Sequence, residues 1–193
     1  MAVGVSGTVV TSSDGIIWSE RTSGFSQDVN AITYGNNIFV LACSAGYIYT
    51  SSNGSSWTSR STSTAQDIQG VAYGNNTFVV VGNTGIILTS PNGTSWTSRT
   101  SGSSSSLRGV TYANSSFVVV GDGAKILTSW GGTSWTSQNG GISSERLNSI
   151  TYANNTFIIV GESGIILSSS EGTSWSSMTS GSSKNLNGIT FKD

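Results

Sequence analysis

The chain has 193 residues, of which only 9% are charged, and its net charge is −1 with no histidine. A near-neutral chain lacks the basic surface that DNA, RNA or an anionic membrane attracts, so we expect no nucleic-acid partner. The single cysteine, Cys43, excludes an internal disulfide. No apolar run approaches the ~18 residues of a membrane span, and the opening MAVGVSG does not resemble a signal peptide, so we expect neither membrane insertion nor an export signal.

Similar segments recur along the whole chain. One tryptophan of each segment falls at Trp18, Trp57, Trp96, Trp135 and Trp175, at spacings of 39, 39, 39 and 40 residues. A second aromatic marker falls at Tyr34, Tyr73, Tyr112, Tyr152 and Phe191, at spacings of 39, 39, 40 and 39 residues. A fixed period is typical of a repeat architecture, and five copies leave no room for a linker. We therefore predict a single domain over residues 1–193.

Within one repeat the elements follow a constant order, shown here by residues 107–137. The runs LRGVTY, FVVVG, ILTS and SWTS are rich in strand-forming residues. The segments ANSS, DGAK and WGGT that separate them favour tight turns. No segment of about ten residues or more has a helical period. Each repeat therefore predicts a four-stranded antiparallel meander.

The second and third strands of each repeat are apolar throughout, as in FVVV and GIIL. A strand with one face in water would alternate, so these strands need cover on both faces. Sheets that stack around an axis supply that cover, which predicts an all-β, five-bladed β-propeller with four antiparallel strands per blade. A β-helix and a β-sandwich are the alternatives, but three hairpin turns per repeat and the fixed period favour the propeller.

The two ends of the chain predict how the ring closes. Residues 1–4, MAVG, align with the second strand of a repeat, and residues 186–191, LNGITF, align with a first strand. Pairing of these ends would complete the first blade and remove edges that otherwise expose apolar faces. We therefore predict that the C-terminal strand pairs with the N-terminal blade.

The turn between the third and fourth strands carries the motifs TSSDGIIW, TSSNGSSW, TSPNGTSW, TSWGGTSW and SSSEGTSW. These resemble the Asp-box, or bacterial neuraminidase repeat, with the pattern Ser/Thr-x-Asp-x-Gly-x-Thr-Trp. The tryptophans listed above match it, and so do Gly15, Gly54, Gly93, Gly132 and Gly172. The Asp position departs from the pattern and holds Ser13, Ser52, Pro91, Trp130 and Ser170. The resemblance is to degenerate, non-catalytic sialidase-type propellers, in which the box is a structural turn.

In the sialidases that the motif resembles, three arginines of the active centre bind a carboxylate. This sequence does not predict such a centre. Arg21, Arg60 and Arg99 fall on the predicted outer strands, away from the axis. The lack of histidine removes the commonest general base and metal ligand. A carboxylate pair for glycoside hydrolysis stays open as a less favoured alternative, on three acids near the inner strands: Asp28, Asp67 and Glu145. The prediction is therefore a protein that is not an enzyme, with no catalytic residue, metal or cofactor.

One polar residue opens each predicted inner strand, namely Asn30, Gln69, Arg108, Asn148 and Asn187. Amide and hydroxyl groups around a propeller axis suit polyhydroxyl ligands, so this ring is the candidate ligand-binding site. Four neutral residues and one arginine predict a neutral sugar or a singly acidic one. The structural alternative is that the ring only hydrates the mouth of the channel.

Propellers rich in Ser, Thr, Gly and Asn with such repeats resemble those of bacteriophage virion proteins and bacterial surface proteins. The resemblance implies a binding or structural module on a virion surface, as a capsid decoration or a tail or receptor-binding component. Its partners would be other virion proteins or a cell-surface glycan, after synthesis in the host cytoplasm. A stand-alone bacterial lectin-like propeller is the alternative.

Overall fold

The computed structural model describes residues 1–191 and contains nineteen β-strands. Sheet 1 consists of β1 (Ala2–Val3), β2 (Val9–Thr11) and β3 (Ser19–Arg21). Sheet 2 consists of β4 (Val29–Gly35), β5 (Ile38–Cys43), β6 (Ile48–Ser51) and β7 (Thr58–Arg60). Sheet 3 consists of β8 (Ile68–Gly74), β9 (Thr77–Gly82), β10 (Ile87–Ser90) and β11 (Thr97–Arg99). Sheet 4 consists of β12 (Leu107–Ala113), β13 (Ser116–Gly121), β14 (Ile126–Ser129) and β15 (Thr136–Gln138). Sheet 5 consists of β16 (Leu147–Ala153), β17 (Thr156–Gly161), β18 (Ile166–Ser169) and β19 (Ser176–Met178).

Each sheet is an antiparallel meander in which consecutive strands pair, so the strands of sheets 2–5 are called inner, second, third and outer in chain order. The inner and second strands are joined by two-residue turns whose backbone is left-handed, as at Asn75 (φ 46°) and Asn76 (φ 54°). Asparagine tolerates this conformation, and two such residues match the twist of a hairpin. The predicted meander of four strands is therefore confirmed in four sheets, although each outer strand has only three residues.

The core lies between neighbouring sheets rather than inside any one of them. At the boundary of sheets 3 and 4, Val79 and Val81 pack against Phe117 and Val119, and all four side chains are fully buried. Similar clusters fill the boundaries of sheets 1 and 2, 2 and 3, and 4 and 5. A strand covered on both faces needs apolar side chains at successive positions, which explains the continuous runs in the sequence.

The two ends do not show the predicted closure. Strand β1 pairs with β2 just as β5 pairs with β6, so sheet 1 has second, third and outer strands but no inner strand within residues 1–191. Residues 186–191 are not part of any sheet. The Leu186 N–H instead donates to the carbonyl of Gly161 in sheet 5, at 2.9 Å. The described residues therefore form a stack of five sheets, one of them with three strands, and a closed ring is not shown.

Candidate functional site

The predicted ring residues lie at irregularities of the inner strands. In β12 the register passes from Leu107 opposite Gly121 to Gly109 opposite Val120, so Arg108 is an extra, unpaired residue. The same shift places Asn30, Gln69 and Asn148 in bulges of β4, β8 and β16. A β-bulge redirects a side chain away from the regular alternation of the sheet. Asn187 follows β19 in the C-terminal segment and lies outside any strand.

Each of the two bulged asparagines donates to a backbone carbonyl one repeat further along the chain. The Asn30 side-chain amide donates to the Ile68 carbonyl in the next inner strand, at 2.8 Å. The Asn148 amide donates in the same way to the Leu186 carbonyl, at 2.9 Å. Gln69 makes a longer contact within its own sheet, from Nε2 to Asn83 Oδ1 at 3.4 Å. The Asn30 amide thus ties the inner edges of sheets 2 and 3 together, whereas the Asn148 amide holds the C-terminal segment and also donates to Asn187 Oδ1 at 3.4 Å. The Oδ1 atoms of Asn30 and Asn148 can accept a hydrogen bond from a ligand.

Arg108 belongs to an ionic cluster that spans sheets 4 and 5. Its guanidinium forms two hydrogen bonds with Asp122, one of them from Nη2 to Oδ2 at 3.1 Å. Arg146 Nε lies 3.0 Å from the same carboxylate and 3.7 Å from Glu162 Oε1. The hydrogen bond from Arg108 is the main cause that lowers the pKa of Asp122 below its usual value. These four side chains, the ionic cluster, are 30–44% exposed and balance in charge.

The sequence prediction missed Asp122 and Glu162, and the register of the hairpin explains the place of Asp122. In a hairpin with this register, the residue at a bulge lies beside the residue that follows the partner strand. Arg108 and Asp122 are one such pair, and Gln69 and Asn83 are the equivalent pair one repeat earlier. Charged residues at both positions of this pair therefore predict an ion pair at the inner edge.

The three acids named as a possible catalytic pair are bound to backbone amides. Asp28 Oδ1 accepts the Ser6 N–H at 2.7 Å, and Asp67 Oδ1 accepts the Ala45 N–H at 2.8 Å. Ser6 and Ala45 have left-handed backbones with φ of 52° and 53°, so these carboxylates hold two strained turns in place. The Glu145 carboxylate accepts N–H groups of its own loop, which lowers its pKa.

The predicted box residues form a repeated turn, called here the Trp turn and covering residues 12–18 in sheet 1 and its equivalents in the other sheets. In every copy the glycine N–H donates at 2.8 Å to a serine hydroxyl three residues earlier, as from Gly93 to Ser90. In four copies the indole N–H donates to the glycine carbonyl at 3.1 Å. In the fifth copy the Nε1 atom of Trp57 is buried without a hydrogen-bond partner. The serine was not singled out from the sequence, although it carries the contact that all five turns share.

Cys43 lies at the end of β5, where it is fully buried against sheet 1 together with Val9. Burial raises the pKa of its thiol to about 12, so the reactive thiolate is not populated at neutral pH. Within residues 1–191 no group of three His, Cys, Asp or Glu side chains is arranged to hold a metal ion. Nor does that part of the chain contain a helix of the length and apolarity needed to cross a bilayer.

Two grooves on the described structure lie away from the ring. A groove of about 490 Å³ lies at the outer side of sheet 1, where Arg21 and Phe25 form part of its wall. A similar groove of about 330 Å³ lies at sheet 2 beside Tyr47 and Arg60. Both grooves are shallow and follow the repeat, as expected for the gap between an outer strand and the loop after it. The ring residues have the more varied chemistry, because they comprise bulged amides of β4, β8 and β16 as well as Arg108 of the ionic cluster.

Stacked four-stranded meanders whose inner strands lie side by side define a β-propeller domain. Comparisons with known proteins agree with this class. Residues 100–191 match the model of a family described as DUF6242 beta propeller domain, a match to fewer than half of the 193 residues. A search of curated proteins found no significant match.

Solved structures of similar fold include three propellers with different partners or activities. YCF48 bound to a D1 peptide is 20% identical, with a TM-score of 0.69 over 92% of this chain. Virginiamycin B lyase from Staphylococcus aureus is 16% identical, with a TM-score of 0.77 over 92% of this chain and 68% of the lyase. A nidogen/laminin complex is 13% identical, with a TM-score of 0.68 over 91% of this chain and 73% of the matched one. The chain spans 62% of the length of the YCF48 chain, and at these identities the likeness shows the fold alone.

Proposed function

We propose that this propeller is a non-catalytic binding module whose ligand lies over the inner edges of the sheets. The observation that carries the proposal is the set of bulged inner-strand side chains, which bring amides and the ionic cluster to one rim. Sugars are recognised by planar polar groups with several donors and acceptors, and Asn, Gln and Arg supply these. The favoured ligand is a glycan, either neutral or with a single carboxylate that competes with Asp122 for Arg108.

The environments of the acids support binding rather than hydrolysis. A glycosidase needs one carboxyl group that stays protonated near neutral pH beside a second that is ionised. Here the pKa values of Asp122 and Glu145 are both lowered, and the carboxylates of Asp28 and Asp67 already accept backbone N–H groups. The carboxyl groups at the inner edge are thus used to fix turns and to hold arginines.

The proposed setting is a bacteriophage virion surface, where the module would decorate the capsid or form part of the tail or the receptor-binding apparatus. The resemblance of the Trp-turn repeats to degenerate Asp-boxes of virion proteins supports this setting. Propellers of similar fold bind a D1 peptide in YCF48 and take part in a nidogen/laminin complex, so protein partners within a virion suit the fold as well. A stand-alone bacterial lectin is the second candidate, supported by the same rim chemistry.

A glycan array with matched arginine variants tests the binding site. Arg108→Gln removes the guanidinium at the rim, whereas Arg99→Gln removes one from an outer strand, where its Nε donates to Thr89 Oγ1 at 2.8 Å. A hydrogen bond to a charged group contributes about 1.5–3 kcal/mol. Its loss in Arg108→Gln should therefore weaken binding of a singly acidic glycan at least about tenfold. Arg99→Gln should leave the affinity unchanged.

The opposite pattern, with binding lost in Arg99→Gln and kept in Arg108→Gln, would place the ligand on the outer strands and refute the rim site. The setting is tested separately by mass spectrometry of purified particles. If the chain sediments with virions, the virion setting is supported. If it is found only in the soluble fraction and binds glycans there, the lectin alternative is supported.

A further inference from the structure

A groove of about 300 Å³ lies between the outer edge of sheet 2 and the Trp turn of sheet 3. Arg60 of β7 lines this groove from sheet 2, together with Asn53 of the Trp turn of the same sheet. Asn92 lines it from the Trp turn of sheet 3. This space, called here the Arg60 groove, is therefore built by two neighbouring sheets in the middle of the chain.

The Arg60 guanidinium is held in the groove by a hydrogen bond. Its Nε donates to Thr50 Oγ1 at 2.7 Å, and Thr50 is buried in β6. Arg60 lies opposite Ile48 in the strand pairing, and the Ile48 side chain packs into the cluster between sheets 2 and 3. Residues directly opposite in an antiparallel pair project from the same face, so the Arg60 side chain faces sheet 3. Within residues 1–191 the guanidinium has no acidic partner, which leaves its terminal nitrogens for a ligand.

The positive charge at this position is not needed to hold the outer strand. In sheet 4 the equivalent residue is Gln138, whose Nε2 donates to Thr128 Oγ1 at the same distance of 2.7 Å. In sheet 5 the equivalent residue is Met178, and β19 still pairs with β18 in the same register. The hydrogen bond to threonine can thus be made by an uncharged amide, or be absent. The charge of Arg60 is therefore free for a role other than folding.

The walls of the Arg60 groove carry hydrogen-bond donors and no acidic side chain. The Oδ1 atom of Asn53 accepts two backbone N–H groups of its own Trp turn, and Oδ1 of Asn92 does the same one repeat later. These bonds fix both amides and leave the Nδ2 groups to donate. A guanidinium and two amide donors are the groups that bind an oxyanion.

The equivalent grooves of two other sheets lack this combination. In sheet 1 the groove contains Asp14 at the position of Asn53, and a carboxylate there repels an anion. In sheet 3 the groove with Arg99 is smaller, at about 220 Å³, and Gly131 occupies the position of Asn92. The Arg60 groove therefore differs from both by having an arginine and two amides without an acid.

We propose that the Arg60 groove binds a tetrahedral oxyanion, the sulfate or phosphate ester group of a larger molecule. The planar fork of a guanidinium matches two oxygens of a phosphate, and sulfate has the same shape. A third oxygen, which a carboxylate lacks, accepts from the Asn53 or Asn92 amide. Hydrogen bonds within the protein already hold Arg60 and both amides, so little side-chain entropy is lost on binding. The groove includes no ring residue, so this site is independent of a ligand over the ring.

Titration with inorganic sulfate and with inorganic phosphate, at constant ionic strength, tests the proposal. The side-chain NMR signals of Asn53 and Asn92 report on the groove. Both signals should shift in a saturable manner with at least one of the two anions, and acetate should bind more weakly. The anion that binds more tightly indicates whether the natural group is a sulfate or a phosphate ester.

Each test variant copies a residue that the chain carries at the same position of another repeat, so we expect the fold to be kept. Arg60→Gln copies Gln138 and should weaken anion binding at least about tenfold through loss of a charged hydrogen bond. Asn53→Asp copies Asp14, which accepts the same pair of backbone N–H groups. It should weaken anion binding to a similar extent, because its carboxylate repels the ligand. Circular dichroism and the melting temperature check the fold of both variants.

Arg99→Gln is the matched control, because it removes the equivalent guanidinium from the smaller groove of sheet 3. It should leave the affinity at the Arg60 groove unchanged. Equal weakening by Arg60→Gln and Arg99→Gln would indicate a general attraction to positive charge and would overturn the proposal. Shifts of Asn53 and Asn92 that do not saturate, or that persist unchanged in Arg60→Gln, would overturn it as well.

Discussion

Sheets 1 and 3 are built from copies of the same repeat, yet their surroundings differ. Sheet 3 lies between two neighbours, and all four residues of β10 are buried. In sheet 1 only Val9 of β2 is buried, and Trp18 is 46% exposed, whereas its equivalent Trp96 is half-buried against the core. A repeat of this kind is therefore stabilised mainly by its interfaces with adjacent repeats, and its own sequence is not sufficient.

The largest expected difference concerns the two tryptophans. Trp96→Ala removes an aromatic ring that packs against the cluster between sheets 2 and 3, and it should lower the free energy of unfolding by about 3 kcal/mol. Trp18→Ala removes an exposed ring that covers little and should cost less than about 1 kcal/mol. Both indoles donate to a glycine carbonyl at 3.1 Å, so that contact is matched. Urea unfolding followed by circular dichroism measures both values.

If both variants lose the same free energy of unfolding, Trp18 is covered in solution. Contact of sheet 1 with another sheet would provide that cover. Repeating the measurement at high protein concentration then distinguishes a second copy from the same chain. Only contact between copies makes the cost of Trp18→Ala rise with concentration.

The serine of the Trp turn gives a smaller expected difference. Ser90 is fully buried, and its hydroxyl accepts the N–H groups of Gly93 at 2.8 Å and Asn92 at 3.3 Å. Ser90→Ala leaves these donors without a partner and should cost about 1–3 kcal/mol. Ser12 makes the same contact with Gly15 in an exposed turn, where water can replace it. Ser12→Ala should therefore cost less than half as much as Ser90→Ala, and a larger loss for Ser12→Ala in the same unfolding assay would contradict this.

Much of the fold could be predicted from the sequence because the repeat supplies the same evidence several times. Apolar runs such as FVVV require cover on both faces, and pairs such as Asn75 and Asn76 require a tight hairpin. The ends were less predictable. The segment with Leu186 has the composition of an inner strand, but a strand forms only where a partner strand is within reach.

The candidate site was predicted only in part, for a different reason. Period and composition place Asn30 and Arg108 on inner strands, but they do not show that each residue lies in a bulge. A bulge shifts the register by one residue, and composition carries no clear signal for that shift. The partners of Arg108 therefore became visible only when the strands were paired, and Asp122 neutralises the charge that the sequence had assigned to a ligand.

Labelling of Cys43 tests whether sheet 1 opens before the rest of the molecule. Its thiol lies at the boundary of sheets 1 and 2, and burial raises its pKa to about 12, so labelling at pH ~8 requires local opening. Val119→Cys in a Cys43→Ala chain places a thiol at the fully buried boundary of sheets 3 and 4. Cys43 should react at least about tenfold faster, which corresponds to about 1.4 kcal/mol in opening free energy. Equal rates at both positions would indicate that the sheets open together.

The smallest expected effect concerns pH and the Trp turn of sheet 1. Asp14 Oδ1 accepts the N–H groups of Ile16 at 2.8 Å and Ile17 at 2.9 Å, and these bonds lower its pKa from 3.8 to about 2. Since the folded pKa is the lower one, the contribution of ionised Asp14 is fully present above pH ~4 and is lost as the pH falls towards ~2. Asn53 occupies the same position in sheet 2, makes the same bonds and does not titrate.

Acidification should therefore loosen the turn of sheet 1 and leave that of sheet 2 unchanged. The measurement is the amide chemical shift of Ile16 and Ile17 between pH ~5 and ~2, with Ser55 and Ser56 as internal controls in the same sample. Asp14→Asn should abolish the transition at Ile16 and Ile17. A transition near pH 3.8 in place of one near 2 would show that the two N–H groups do not stabilise the carboxylate. The turn of sheet 1 would then be less ordered than the equivalent turn of sheet 2. Both turns have an Asx residue followed by glycine, so the uncovered position of sheet 1 would account for the difference.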